Sequence, residues 1–435
     1  MEINICPTNY KKSSPKSNGT ANKLSLGDRA FHDWYRFVLS FPPHLVRDYI
    51  DKFGLRPTNR LLDPFCGTGT TLVEAKLNGI TCVGIEANPM AYFASCVKTD
   101  WKINPDNLLN HALAIAETTN RKITSNRTRK LRTLSADAFK ILLKDSISPL
   151  PLHKSLVLLE QLEKHKNDIL YKHELLGLAK ALVFSISNLH FGPEVGVQRT
   201  KKVDAPVVES WLNEVRTIAE DVRFAKTSNT SAIVYNADSR QLNHILKPCS
   251  IDAVFTSPPY PNEKDYTRTT RLESVLLGFI NNKQELQILK RGLLRSNTRN
   301  IYKGDNDDIW ISKFRKIQNI ANKIEKRRIE MGKTSGFERL YSKVTKHYFG
   351  GMARHLAEIR PFLKPGAHLG YVVGDQASYL QVMIRTGQLL AEIAESLGYE
   401  VLSIDLFRTR LATATKKQMR EEVVVLRWPG KLVQQ

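Results

Sequence analysis

The chain has 435 residues, 42% of them hydrophobic, which suits a large globular core and argues against a disordered chain. Lys and Arg number 65 against 43 Asp and Glu, a formal charge of +22. An excess of that size favours a polyanionic partner, because each basic side chain near a phosphate releases counterions. No apolar run approaches the ~20 residues that span a bilayer, so no membrane association is expected. The five cysteines (Cys6, Cys66, Cys82, Cys96 and Cys249) are odd in number and never at C-x-x-C spacing. They argue against a zinc site or disulfide framework and fit a reducing cytoplasm.

Residues 1–25 are polar, without an apolar h-region, and read as part of a flexible leader over 1–30 instead of a signal peptide. An apolar stretch follows, with a helix-like segment over 45–53. Arg60-Leu61-Leu62-Asp63-Pro64-Phe65 reads as a short buried strand ending in a glycine turn. Residues 70–77 read as a helix, and Thr81-Cys82-Val83-Gly84-Ile85-Glu86 as a second strand. Strand, glycine loop, helix, strand is the opening of a doubly wound α/β domain. Residues 101–229 then look mainly helical, an insertion between sheet strands with a basic run over 121–132. Strand signals return at 232–235 and 252–255. A basic segment over 283–333 carries 14 Lys/Arg against 6 Asp/Glu and lies within an insertion spanning 262–340. A helix near 344–362, a strand over 369–373, a helix over 385–397 and strands over 400–405 and 422–428 close the domain.

Two motifs carry chemistry. The first is Asp63-Pro64-Phe65-Cys66-Gly67-Thr68-Gly69-Thr70-Thr71, where a strand ends and a helix begins. Glycines there let backbone approach a ligand, and the helix start offers free N–H groups. Glu86, at the predicted end of the next strand, stands where a carboxylate accepts from both ribose hydroxyls of a nucleoside. Leu72 occupies the place of the third glycine of a dinucleotide fingerprint, so that reading fails. The second motif is Thr256-Ser257-Pro258-Pro259-Tyr260, directly after a buried strand. Two prolines fix a stiff corner that presents carbonyl oxygens. A base amino nitrogen, its lone pair delocalised into the ring, is helped to attack by two acceptors on its hydrogens. Ser257 Oγ and the Pro258 carbonyl can supply them, and Tyr260 offers a stacking face for a flipped base. No metal is required. Between the motifs, Asp238 ends a strand one helix before Ser257. Asp137, in a similar context, reads as a surface helix start. Pro248-Cys249 precedes the strand, the wrong side for a cysteine nucleophile.

The run D-P-F-C-G-T-G-T-T closely resembles the cofactor motif of amino-methyltransferases, and S-P-P-Y resembles the catalytic motif of site-specific DNA (cytosine-N4)-methyltransferases. The resemblance covers 31–100 and roughly 230–435. It implies a Rossmann-like, mostly parallel seven-stranded sheet with largely helical insertions, and S-adenosyl-L-methionine as cofactor. Asp63, Phe65, Cys66, Gly67, Thr68, Gly69, Thr70, Glu86, Asn88 and Asp238 would bind that cofactor, and Ser257, Pro258, Pro259 and Tyr260 would form the catalytic corner. Lys264, Arg268 and Arg271, close to Tyr260 in sequence, are candidates for backbone phosphates of double-stranded DNA. Either insertion is a candidate for target recognition. The resemblance also implies a restriction–modification or phage-defence setting, with a cognate endonuclease acting separately; it leaves the oligomeric state open. Adenine-N6 enzymes more often begin the tetrapeptide with Asp. Transfer-RNA guanine-N2 enzymes share D-P-F-C-G-T-G but usually carry D-P-P-Y and an N-terminal RNA-binding domain. A non-catalytic DNA-binding protein on the same scaffold would not need the intact motifs. The loop precedes the catalytic motif here, the reverse of many N4-cytosine enzymes.

Overall fold

The computed structural model describes residues 24–37, 40–125, 130–191, 194–225, 229–262, 264–411 and 418–430. Most of the predicted leader, and Arg127 and Arg129 of the first basic run, lie outside them. After α1 (Pro43–Lys52), the chain forms β1 (Arg60–Asp63), α2 (Thr70–Leu77), β2 (Thr81–Glu86) and α3 (Pro89–Lys98). The first insertion contributes α4 (Pro105–Ser125), α5 (Ala136–Ile141), α6 (Pro149–Glu163), α7 (Tyr171–Ala181), a hairpin of β3 (Leu189–Phe191) and β4 (Val195–Val197), and α8 (Val207–Phe224). Then come β5 (Ala232–Asn236), β6 (Ile251–Thr256), the short α9 (Tyr266–Thr269) and α10 (Arg271–Leu276), α11 (Lys283–Gly292), α12 (Arg315–Glu330), α13 (Tyr341–Ile359), β7 (Leu363–Gly374), α14 (Thr386–Ser396), β8 (Glu400–Leu411) and β9 (Gln418–Arg427).

Seven strands form one sheet in the order β5-β2-β1-β6-β7-β9-β8. The first five are parallel, and β9 pairs antiparallel with both β7 and β8. The interior strands are apolar on both faces because helices cover both. Along β2, Cys82 joins one core layer with Leu61, Phe255 and α1, while Val83 and Ile85 join the other with Val254, Tyr371 and α13. This is the Rossmann-like methyltransferase topology that the sequence implies. Strand order reverses between β1 and β6, so the connections leaving their carboxyl ends diverge and open a crevice, the ligand position of doubly wound sheets.

The first insertion builds a third core around α4, α6, α7 and α8, and Trp211 lies fully buried within it. That core is continuous with Val73 of α2 and Met90, Ala94 and Val97 of α3, so the insertion thickens one helical layer. Residues 175–189 fall in the region expected to be mainly helical. The chain instead leaves α7 at Ala181, makes a wide helical turn and enters β3. Asn188 stops the helix there, its side chain held by the Asp145 carbonyl and Ser148 Oγ. Asp137 is the surface helix start expected, behind a Ser135 cap.

Candidate active site

Asp63 ends β1 fully buried, and its carboxylate sets the first half of the site. Oδ1 accepts from Thr256 Oγ1 at 2.6 Å and from the Phe65 amide at 3.1 Å. One carboxylate therefore ties the glycine loop to the residue immediately before Ser257. Burial pushes its pKa up to about 6. Gly69 has φ +85°, and a Cβ there would stand 3.0 Å from Ser95 Oγ, so the turn into α2 requires glycine. Ser95 Oγ also donates to the Gly67 carbonyl at 2.7 Å. Glu86 ends β2 with Oε2 accepting from the Gly67 amide at 2.8 Å and Oε1 from the Asn88 amide at 2.7 Å. Burial raises its pKa to about 7 despite those amides.

Ser257, Pro258, Pro259 and Tyr260 turn away from β6 on the opposite side of the same crevice. Ser257 Oγ donates to the Val372 carbonyl on β7 at 3.2 Å. With its hydrogen so directed, the oxygen presents lone pairs to the crevice. The Tyr260 ring packs against Gly374, where a Cβ would stand 3.0 Å from Cε2. Its hydroxyl donates to Glu421 Oε1 at 2.9 Å, and Arg408 holds Glu421 by a short ion pair. Burial and the adjacent Glu421 hold the phenol well above its ordinary pKa.

These two halves wall one cavity of about 630 Å³, a size suited to a small-molecule site. Phe65, Cys66, Gly67, Thr68, Thr70, Glu86 and Asp238 face it, as do Ser257 to Tyr260. Residues 292–300 roof it from the second insertion, and β8 and β9 add Arg408, Arg410 and Glu421. Glu194, beside the β3–β4 hairpin, brings the first insertion to its edge.

The comparisons bear on what this cavity serves. A family model described as "RMKL-like, methyltransferase domain" matches residues 46–148, which contain the whole glycine loop and Glu86. The type II methyltransferase M.BsoBI of Geobacillus stearothermophilus is 26% identical over 92% of this chain and 84% of its own. The type II methyltransferase M.AvaI of Nostoc sp. is 25% identical over 91% and 86%. A tRNA (guanine(10)-N2)-dimethyltransferase of Methanothermobacter thermautotrophicus is 45% identical, but over 47 residues, 11% of this chain and 14% of that one. The chain is thus similar to type II methyltransferases over nearly its whole length, a likeness that implies a methyltransferase with S-adenosyl-L-methionine as its methyl donor. Similarity to those enzymes runs through the insertions as well as the sheet, whereas the tRNA enzyme shares one short segment.

The methyltransferase cavity fits its methyl donor on its own evidence. Thr68 Oγ1 is buried on the wall with no hydrogen-bond partner, the condition expected of a polar atom waiting for a ligand. The Glu86 carboxylate lines the same cavity. Not every residue expected at the site reaches it. Asp63 lies beneath the loop and Gly69 behind it, and neither lines the cavity. Asn88 lines it, but its side chain caps α3, accepting from Met90 and Ala91 amides and donating to Thr270 Oγ1 at 3.2 Å. Lys264 lines the cavity; burial and nearby Arg410 hold its ammonium below the usual lysine range. Arg268 is half-buried and off the cavity wall. Arg271 overturns its expectation. It is buried, and its guanidinium donates to the carbonyls of Thr267 and Ile141 and to Thr267 Oγ1, each at 3.0 Å. It joins α10 to the first insertion and is not presented to a phosphate.

Sequence reasoning missed Arg408, Arg410 and Glu421. Reading β8 as ending at residue 405 hid the Arg408-Thr409-Arg410 alternation, which puts both arginines on one face of a strand. Among the described residues no cluster suits a metal ion, and no helix is long and apolar enough to cross a membrane.

Proposed function

We propose that the protein transfers a methyl group from S-adenosyl-L-methionine to N4 of a cytosine flipped out of duplex DNA, as the modification arm of a restriction–modification or phage-defence system. One observation carries the reading: the Ser257-Pro258-Pro259-Tyr260 corner faces, across one cavity, the loop and acid that suit the cofactor. When bound, the cofactor supplies an electrophilic sulfonium methyl group. Glu86 accepts from the ribose hydroxyls, Asp238 from the adenine amino group, and Thr68 finds its missing partner. Ser257 Oγ and the Pro258 carbonyl accept the two hydrogens of the target amino group, directing the nitrogen lone pair out of the ring plane. Tyr260, held by Glu421, stacks on the base. Rate acceleration comes mainly from positioning and exclusion of water. Ser257 where adenine enzymes more often have Asp favours cytosine. The type II relatives favour DNA over RNA, since they match nearly the whole chain and the tRNA enzyme only 47 residues. We assign the catalytic domain to 31–100 and 230–435, and target recognition to the insertions over 101–229 and 262–340.

Two predictions test the two ends of the cavity. Glu86 keeps its proton up to about pH 7 without ligand, while ribose recognition needs the carboxylate. Its pKa is raised on folding, so it contributes stability at low pH that is lost as pH climbs toward 7. Bound cofactor favours the ionised form, so binding releases a proton below pH 7. Calorimetry with S-adenosyl-L-homocysteine should show affinity falling about tenfold per pH unit below 7 and level above it. Glu86→Gln should bind weakly with no such slope; a flat wild-type profile contradicts the assignment. At the mouth, Lys264 and Arg410 have no carboxylate bonded to them among the described contacts and suit the phosphates beside a flipped base. Lys264→Ala and Arg410→Ala should each lower the salt dependence of duplex binding by about one unit of log–log slope, with homocysteine-product binding unchanged. Slopes identical to wild type rule out phosphate contact there.

A further inference from the structure

Arg240 is 5% exposed and faces two carboxylates from different parts of the fold. Its Nε donates to both oxygens of Asp238, at 2.9 and 3.1 Å, and Nη2 donates to Asp238 Oδ2 at 2.6 Å. Its backbone amide adds a fourth bond, to Asp238 Oδ1 at 2.9 Å. The other arm, Nη1, reaches Asp307 Oδ2 at 2.5 Å. Asp307 is buried in the second insertion and also meets Arg354 Nη1 at 3.4 Å. Nη2 further approaches the Gly292 and Leu293 carbonyls at 3.5 Å, both residues being part of the cavity roof.

Burying Arg240 and Asp307 as charges is a poor way to stabilise a fold, since apolar residues of equal volume do as well or better. What the arrangement does provide is fixed geometry. A planar guanidinium bound through two nitrogens leaves the Asp238 carboxylate one orientation on the cavity wall, and three donor hydrogens on about four acceptor sites leave room for one more donor. The same cation is bonded to Asp307, which anchors the insertion that roofs the cavity.

We infer that Arg240 is a positioning residue that aims Asp238 at the adenine amino group of the cofactor and makes adenine recognition depend on the docked roof. The inference rests on Asp238 as the adenine acceptor, so its test compares S-adenosyl-L-homocysteine with the inosine counterpart, whose exocyclic carbonyl oxygen replaces the amino group. The folded, full-length wild type should bind the inosine compound at least 10-fold more weakly, because a carboxylate then faces a carbonyl. Arg240→Gln should weaken the adenosine compound at least 10-fold, leave the inosine compound within 3-fold, and so abolish the discrimination. Arg240→Lys keeps the charge but not the fork, and should fall between; it carries the test where the Gln variant does not fold. Variants that weaken both ligands equally, or neither, while discriminating as wild type does, overturn the inference alone. A wild type that does not discriminate overturns the Asp238 assignment and the inference with it.

Discussion

Ser257→Ala is expected to lower the methylation rate about 100- to 1,000-fold, the range for removing one preorganised polar contact to a reacting group, while S-adenosyl-L-homocysteine binds within about 2-fold of wild type. The serine is separated from the glycine loop by the width of the cavity, and its hydroxyl donates to the Val372 carbonyl. Removing Oγ leaves the β6–β7 register and the two prolines in place, so the corner keeps its shape and loses one acceptor. Tyr260→Ala should behave differently. Stacking is worth about 1–3 kcal/mol per base, so the loss should appear in the DNA KM as well as in kcat. It should also free Glu421 to pair with Arg408 alone. Single-turnover methylation with saturating cofactor separates the two cases. Unchanged turnover in Ser257→Ala removes the serine from the mechanism.

Gly350→Ala is expected to be the most damaging small substitution outside the cavity. A Cβ at Gly350 would lie 2.0 Å from the Asp307 carbonyl oxygen and 2.9 Å from the Asp308 amide nitrogen. Both are backbone, so no side chain can swing aside, and the turn carrying Asp307 must leave α13. Overpacking costs about 1–3 kcal/mol where side chains yield; a backbone collision should reach or pass the top of that range. Displacing Asp307 also removes it from Arg240 and loosens the roof, so cofactor affinity should fall along with melting temperature. Gly304→Ala is the control. A Cβ there meets nothing within 4 Å and φ is not positive, so stability should stay near wild type. A Gly350→Ala protein as stable as the control would show that the insertion is not locked to α13 as described.

The first half of the sheet was legible in the sequence because β1, β2, β5 and β6 are short, apolar and bounded by turns. Thr81 to Glu86 forms a strand at the expected residues, and Thr70 to Leu77 a helix. The cofactor loop and the tetrapeptide were legible for a further reason: each chemistry needs particular residues at adjacent positions. What stayed hidden depends on contacts between distant segments. Arg271 reads as a free cation beside the catalytic corner, yet the Ile141 carbonyl, 130 residues away, takes its guanidinium. Asp63 reads as a cofactor ligand, yet Thr256 draws its carboxylate under the loop. The roof over 292–300 could not be seen, since nothing local in a basic helical stretch says which sheet edge it covers. The β3–β4 hairpin was masked by apolar spacing that suits a helix equally well.

The measurement that tests the account most directly is methyl transfer from labelled S-adenosyl-L-methionine to duplex DNA by the full-length protein, with the products digested to nucleosides and identified by mass spectrometry. The account predicts label in N4-methylcytosine and its loss in Ser257→Ala. Label in N6-methyladenine would contradict the cytosine assignment that rests on Ser257, and label absent from DNA but present in transfer RNA would contradict the substrate itself.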